Sequence, residues 1–223
     1  MLKKLFIVHC SLFIVFCVSG QDDERAQKIV DDMTARFKTY PSVSISFSAT
    51  TTTRFPEESE TELEGKIWVK GTKYKLETSE YVIYYDGSKI YQYMPTVNEV
   101  NIMKPDSDET DEDFQLLNPQ SYFNISSKTF KSYLIQESSQ NNRAVYEIDL
   151  YPRDVKTTKY VRIRITVDKT TLQLAQLKVV MRDGTHYTLA FKPYSIFQTA
   201  LRDSFFTFNK QEHPNVEMID LTF

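Results

Sequence analysis

The sequence predicts an α+β protein that is mostly antiparallel sheet: an unclosed half-barrel of about eleven strands, with an N-terminal helix and short helices lying over it. Three observations carry this. Residues 61–93 read as four consecutive short strands in which apolar and charged side chains alternate. The same alternation returns from Phe130 to Lys192. Clear helical periodicity is confined to one stretch near the N-terminus. An antiparallel sheet with so many strands tends to curl, which leaves one face concave.

Taken in order, Met1 to Gly20 carries Lys3 and Lys4, an apolar run of about 14 residues from Leu5 to Val18, and Val18-Ser19-Gly20 before the acidic Gln21-Asp22-Asp23-Glu24. This is the layout of a secretory signal peptide, and the run is short against the roughly 20 residues of a membrane-spanning helix. Cleavage is expected after Gly20, leaving residues 21–223 as a single domain. Both cysteines, Cys10 and Cys17, lie in the removed segment, so the mature chain gains nothing from disulfides and its core must supply the stability. Removing Lys3 and Lys4 lowers the basic count from 27 to 25 against 30 acidic groups, a net charge of −5, which argues against a nucleic-acid partner.

Asp22 or Asp23 can cap a helix in which Ala26, Ile29, Val30, Met33 and Phe37 share one face and which ends near Tyr40-Pro41. From Val43 to Thr51 alternation is almost perfect: Val43, Ile45, Phe47 and Ala49 point one way and Ser44, Ser46 and Ser48 the other. The stretch 61–93 then sets Leu63, Gly65, Ile67 and Val69 against Glu64, Lys66, Trp68 and Lys70, and Tyr74 and Leu76 against Lys73, Lys75 and Glu77. Its third run reaches the hairpin dipeptide Asp86-Gly87 and returns through Ile90, Tyr91 and Tyr93. Val97 to Met103 adds a strand. The acidic run 106–113 lacks the spacing and the glycine of a calcium loop and reads as a solvated loop. Between Phe114 and Phe123 an apolar cluster and the helix-opening Asn118-Pro119 make the best candidate for short helices covering the sheet. Strands follow at Phe130–Glu137, Ala144–Tyr151, Tyr160–Val167, Leu172–Met181 and Thr185–Lys192, with a further strand at Phe205–Phe208 and a short ending at Val216–Asp220.

Catalytic chemistry is scarce. His186 reads as an exposed strand residue and His213, before Pro214, as an exposed turn residue. The sequence has only 5 glycines and shows neither a phosphate loop nor a paired-histidine motif nor a serine elbow. Glu62, Glu64, Glu77 and Glu147 fall on the polar face, so no catalytic residue is assigned and the chain reads as a non-enzyme without cofactor or metal. A hydrolase built on a carboxylate pair would need acids on the concave face instead. The 14 Tyr and 15 Phe supply more ring surface than a domain of this size requires. The apolar face therefore either packs against its helices or encloses a cavity for acyl chains, at about 0.8 kcal/mol per methylene removed from water.

The order of several segments is similar to one known family. The strand ending in Phe47-Ser48, the segment Gly65 to Lys70, the Asp86-Gly87-Ser88-Lys89-Ile90-Tyr91 hairpin, Leu116-Leu117-Asn118-Pro119, Asp183-Gly184-Thr185, and the stretch from Phe206-Thr207-Phe208 to Ile219-Asp220 together resemble the periplasmic outer-membrane lipoprotein carrier family, LolA. The resemblance spans nearly the whole mature chain and implies an unclosed barrel capped by helices. Its cavity would take lipoprotein acyl chains from an inner-membrane ABC lipoprotein-release transporter and carry them across the periplasm to an outer-membrane acceptor, the carrier being a monomer. On this reading Ile45, Phe47, Ile67, Tyr74, Leu76, Ile83 and Tyr146 line the cavity, and Leu116 and Leu117 belong to the lid. The alternative is a lipid- or peptide-sensing adaptor of similar fold that transfers nothing. One departure stands out: where the family often places a basic residue and proline, with an arginine that latches the lid, this chain has Gly71-Thr72.

Overall fold

A computed structural model describes residues 24–53, 57–105, 118–156 and 158–222. The expected signal segment, the acidic run 106–113, and Leu116 and Leu117 lie outside them. The described residues build one 13-stranded, unclosed sheet.

Its centre is β1 (Ser42–Thr53), which pairs with β2 (Ser59–Lys70) from Val43↔Val69 to Thr53↔Ser59. From β2 the chain steps outward through β3 (Lys73–Thr78), β4 (Val82–Tyr85), β5 (Ile90–Met94) and β6 (Glu99–Met103) toward one edge. It resumes at the opposite edge with β7 (Phe130–Gln140) and returns inward through β8 (Arg143–Pro152), β9 (Tyr160–Asp168), β10 (Leu174–Met181) and β11 (His186–Phe191), which pairs with the other side of β1. Turn chemistry fixes these hairpins. Asn141 and Asn142 both take positive φ, 49° and 63°, as a two-residue hairpin turn demands, and Gly71 does so between β2 and β3 at 56°.

The connection from β6 to β7 must travel from one edge of the sheet to the other. Its described part crosses the concave face and contains α2 (Pro119–Phe123), which starts at the proline after Asn118 and puts Tyr122, Phe123 and nearby Ile125 into the core. Helix α1 (Glu24–Lys38) lies on the same face nearer β7, burying Ala26, Ile29, Val30 and Met33. Ser132 Oγ on β7 donates to Gln27 Oε1 of α1 at 3.1 Å, which ties the two elements together. Pairs Lys28–Asp32 and Gln27–Asp31 run along the helix's solvent side at the i, i+4 spacing.

The C-terminal part departs from expectation. Phe205–Phe208 is not a strand: residues Asp203–Phe206 form a 3-10 turn followed by a second at Lys210–Glu212. An alternating apolar run is short enough here to read as either, and packing decides, because the rings fold back onto the convex face. The strand count rises from about eleven to thirteen partly through β12 (Ser195–Phe197), three residues pairing with Ser42–Ser44. The closing strand β13 (Glu217–Asp220) runs parallel to β6, whereas the other described pairings are antiparallel.

Candidate functional site

Alternation sends Val43, Ile45 and Phe47 of β1, Ile67 and Val69 of β2, Tyr74 and Leu76 of β3, and Ile83 of β4 to the concave face, where all are buried. The register stacks them in rows across the strands, Ile45↔Ile67↔Leu76↔Ile83 and Val43↔Val69↔Tyr74↔Tyr85. Six of the expected cavity residues therefore share one continuous surface. Tyr146 lies on the same face at the far side of the sheet, only half-buried, between the cations of Arg25 and Lys169. Phe47 reaches over Gly65: a Cβ there would sit 2.6 Å from Phe47 Cζ and 2.7 Å from Glu77 O.

The helices fill the concavity that this surface bounds. Phe37 of α1 stacks on Phe123 of α2 with centroids 4.2 Å apart and planes at 6°, and Phe123 and Tyr122 both pack on Phe191 of β11 at 5.7 and 5.6 Å. Between Met33, Phe37, Tyr40, Phe123, Leu174 and Tyr194 a small void of about 10 Å³ remains, roughly the space of one water probe. A larger cleft of about 250 Å³ opens at the rim, bounded by Phe37, Lys38 and Tyr40 after α1, Val43 and Val69 on the sheet, Gly71-Thr72, and Asn124 after α2. The Gly71-Thr72 turn thus forms one wall of the opening beside the covering helix. The contacts to α2 and the residues just after it include aromatic stacking and a hydrogen bond from Thr34 Oγ1 to Ile125 O at 3.3 Å.

Two desolvated tyrosines differ sharply. Tyr194 donates from its hydroxyl to Leu174 O at 3.0 Å. The Tyr122 hydroxyl is the one buried side-chain polar atom among the described residues without a hydrogen-bond partner. Desolvation holds both phenols well above their ordinary pKa, with Tyr74 and Tyr81 adding to the shift at Tyr122. Burial raises Tyr74 in the same way. Sequence reasoning does not single out Tyr122, Phe123 or Phe191, although the apolar cluster around Asn118-Pro119 points to the segment of the first two.

Charged side chains lie away from this surface or at its margin. Asp149, Arg162 and Arg164 form a buried-acid cluster on the convex side of β8 and β9, with Arg164 bidentate at 2.6 and 2.8 Å. Glu147 is on that polar side as expected, yet it is buried and accepts from Gln136, Ser138 and Gln140 at 2.9 to 3.0 Å. At the margin Glu137 pairs with both Arg25 and Lys169, which hold its carboxyl below the usual range, Lys169 most strongly. His213 corrects the sequence reading: it stacks on Phe208 at 4.9 Å and 9° and packs on Tyr93 at 4.2 Å, inside the convex aromatic cluster. Among the described residues no group of three or more His, Cys, Asp or Glu could hold a metal, and no helix is long and apolar enough to cross a membrane.

A sequence model of the family described as outer membrane lipoprotein carrier protein LolA matches residues 38–209, from the end of α1 to the C-terminal turns. The chain belongs to the LolA family. No curated protein matches it in sequence. Among solved structures it is similar to an uncharacterized conserved protein from Thermus thermophilus, at 10% identity and TM-score 0.54 over 88% of this chain and 99% of that one. It is also similar to a DUF1329 family protein from Desulfovibrio piger, at 12% identity and TM-score 0.51 over 84% and 98%. A LolA superfamily protein from Nitrosomonas europaea aligns at 13% identity and TM-score 0.44 over 82% and 97%. At such identities the likeness to the first two is one of fold, and the family match makes this chain's unclosed sheet with its N-terminal helix a LolA-like fold.

Proposed function

We propose that this LolA-family chain is a periplasmic carrier whose concave face takes the acyl chains of lipoproteins and moves them from the inner to the outer membrane. It would be exported by cleavage after Gly20, work as a single monomeric unit without catalysis, and be loaded by an inner-membrane ABC lipoprotein-release transporter. One observation carries the reading: a continuous apolar surface, from Ile45 to Ile83, is covered by α2 largely through aromatic packing. Magnitudes favour exchange of cover for ligand. Lifting Tyr122, Phe123 and Ile125 out of the core costs roughly 5–9 kcal/mol at 1.5–3 kcal/mol per side chain. A dozen methylenes buried in their place return about 10 kcal/mol. The cleft beside Gly71-Thr72 gives the chain end a place to start.

Titration of the purified mature protein with a fluorescent acyl probe tests this. Saturable binding is expected, weakened at least tenfold by Phe47→Glu or Leu76→Glu, each of which would place a charge on the buried surface. No binding, or binding indifferent to both substitutions, refutes it. Release of a lipoprotein from inner-membrane vesicles then separates a carrier from an adaptor that binds without transfer.

A further inference from the structure

Tyr122 is 3% exposed, and its hydroxyl oxygen is wholly buried without a partner. Buried polar groups are almost always hydrogen-bonded, so an orphan calls for a physical explanation. The surroundings supply none in the closed form. The ring lies between Phe123 and Phe191, and its electrostatic neighbours are the phenols of Tyr74 and Tyr81. The same fold satisfies Tyr194, whose ring packs on Phe123, so the omission is local to Tyr122. A phenol in this setting remains protonated at any physiological pH, because burial disfavours the phenolate. It is thus a standing hydrogen-bond donor on the inner side of the cover, next to Phe191 and Tyr74 of the apolar surface.

We propose that the Tyr122 hydroxyl, on the underside of the cover, is the polar subsite and donates to the carbonyl oxygen of an acyl group bound between α2 and the concave face. The ligand class is then an acyl ester or amide, not a bare hydrocarbon. This rests on the carrier reading above and adds the part of the ligand that the apolar surface cannot recognise. The chemistry is selective in two directions. An alkane fills the same space but leaves the hydroxyl orphaned. An ionised fatty acid brings an acceptor, but its charge loses hydration on entering the apolar surface, and Arg25 and Lys169 at the margin are engaged with Glu137.

The experiment is competition against the fluorescent acyl probe by methyl laurate, by an alkane of matching length and by laurate at neutral pH, on the wild-type chain and on Tyr122→Phe. The wild type is expected to prefer the ester over the alkane by about tenfold, the worth of one buried hydrogen bond. It should also prefer the ester over the ionised acid. In Tyr122→Phe the preference over the alkane should collapse to about unity, while alkane binding is kept or strengthened. An amide competitor that behaves as the ester extends the class to N-acyl groups. Equal ester-to-alkane ratios in the two proteins overturn the subsite and leave the carrier standing. Probe binding that neither neutral ligand displaces overturns both. A wild-type ratio near unity overturns the subsite without the variant, and thermal melting together with retained alkane binding establishes that Tyr122→Phe is folded.

Discussion

Gly65 and Phe47 show how a single position shapes the concave face. The ring of Phe47 lies directly over the place a side chain on Gly65 would occupy, and the Glu77 carbonyl closes the other side. Neither neighbour can retreat cheaply: Phe47 is in the core and Glu77 O belongs to paired backbone. Gly65→Ala is therefore expected to destabilise the protein by about 1–3 kcal/mol, read as a lower urea midpoint at unchanged slope. Phe47→Leu shortens the opposing ring, so the double variant should recover part of that loss; strict additivity would mean that the two residues do not compete for the space. The alternation of Leu63, Gly65, Ile67 and Val69 makes the face of Gly65 legible in the sequence, but not the fact that Phe47 fills its gap. Tyr122 marks a sharper limit. Whether a hydroxyl finds a partner depends on every neighbour in three dimensions, and no local pattern reports it.

At the scale of elements, the long paired strands were legible because one buried face imposes a period of two on their side chains. At the C-terminus the short ending at Val216–Asp220 was legible as well, but β12 and the turn in place of a Phe205–Phe208 strand were not. The strand β12 pairs over only three positions, and the Phe205–Phe208 rings pack on a face already covered with polar and aromatic residues. What holds this segment to the sheet is specific. Lys70 and Lys73 grip Asp203 at 2.7 and 3.1 Å, Lys70 also donates to Leu201 O at 2.7 Å, and Lys75 sits among the rings of Trp68, Tyr84 and Phe205 at 5.3 to 5.4 Å. The hydrogen bond from Lys70, then that from Lys73, keeps the Asp203 carboxyl below the usual range. A depressed carboxyl contributes stability that is present above its unfolded value near 4 and lost as pH falls through the folded one. Acidification from about pH 5 to below 3 should therefore loosen the segment. Trp68, the chain's one tryptophan, reports it through its edge contact with Phe205 at 5.6 Å, and its emission should shift to the red. Asp203→Asn should show part of that shift already at neutral pH and a weaker dependence on acid. An unchanged emission across the range in the wild type would mean that the rings alone hold the segment.

For the whole molecule, β1 divides the sheet into an outgoing half, β2 to β6, and a returning half, β7 to β11, and the described part of the connection between their far edges, with α2, lies on the concave face. The connection between far edges thus supplies the element that covers this face. The strand pattern and Asn118-Pro119 anticipated this arrangement; the Phe37–Phe123 stack that seats α2 did not follow from them, because it joins residues far apart in the chain. That stack is the natural control point for opening. An aromatic pair adds about 0.5–1.5 kcal/mol beyond the area it buries, so removing one ring should raise the population of the open form severalfold to about tenfold. Phe37→Ala is accordingly expected to speed amide exchange at residues 121–126 by that factor while leaving β8 to β10 protected, and to accelerate uptake of an acyl probe in parallel. The two rates should move together because both depend on α2 leaving Phe191 and the rows of β1 to β4. Faster exchange without faster uptake would place the acyl path elsewhere than under α2. Unchanged exchange would mean that Thr34 and the packing of Tyr122 are enough to keep the cover in place.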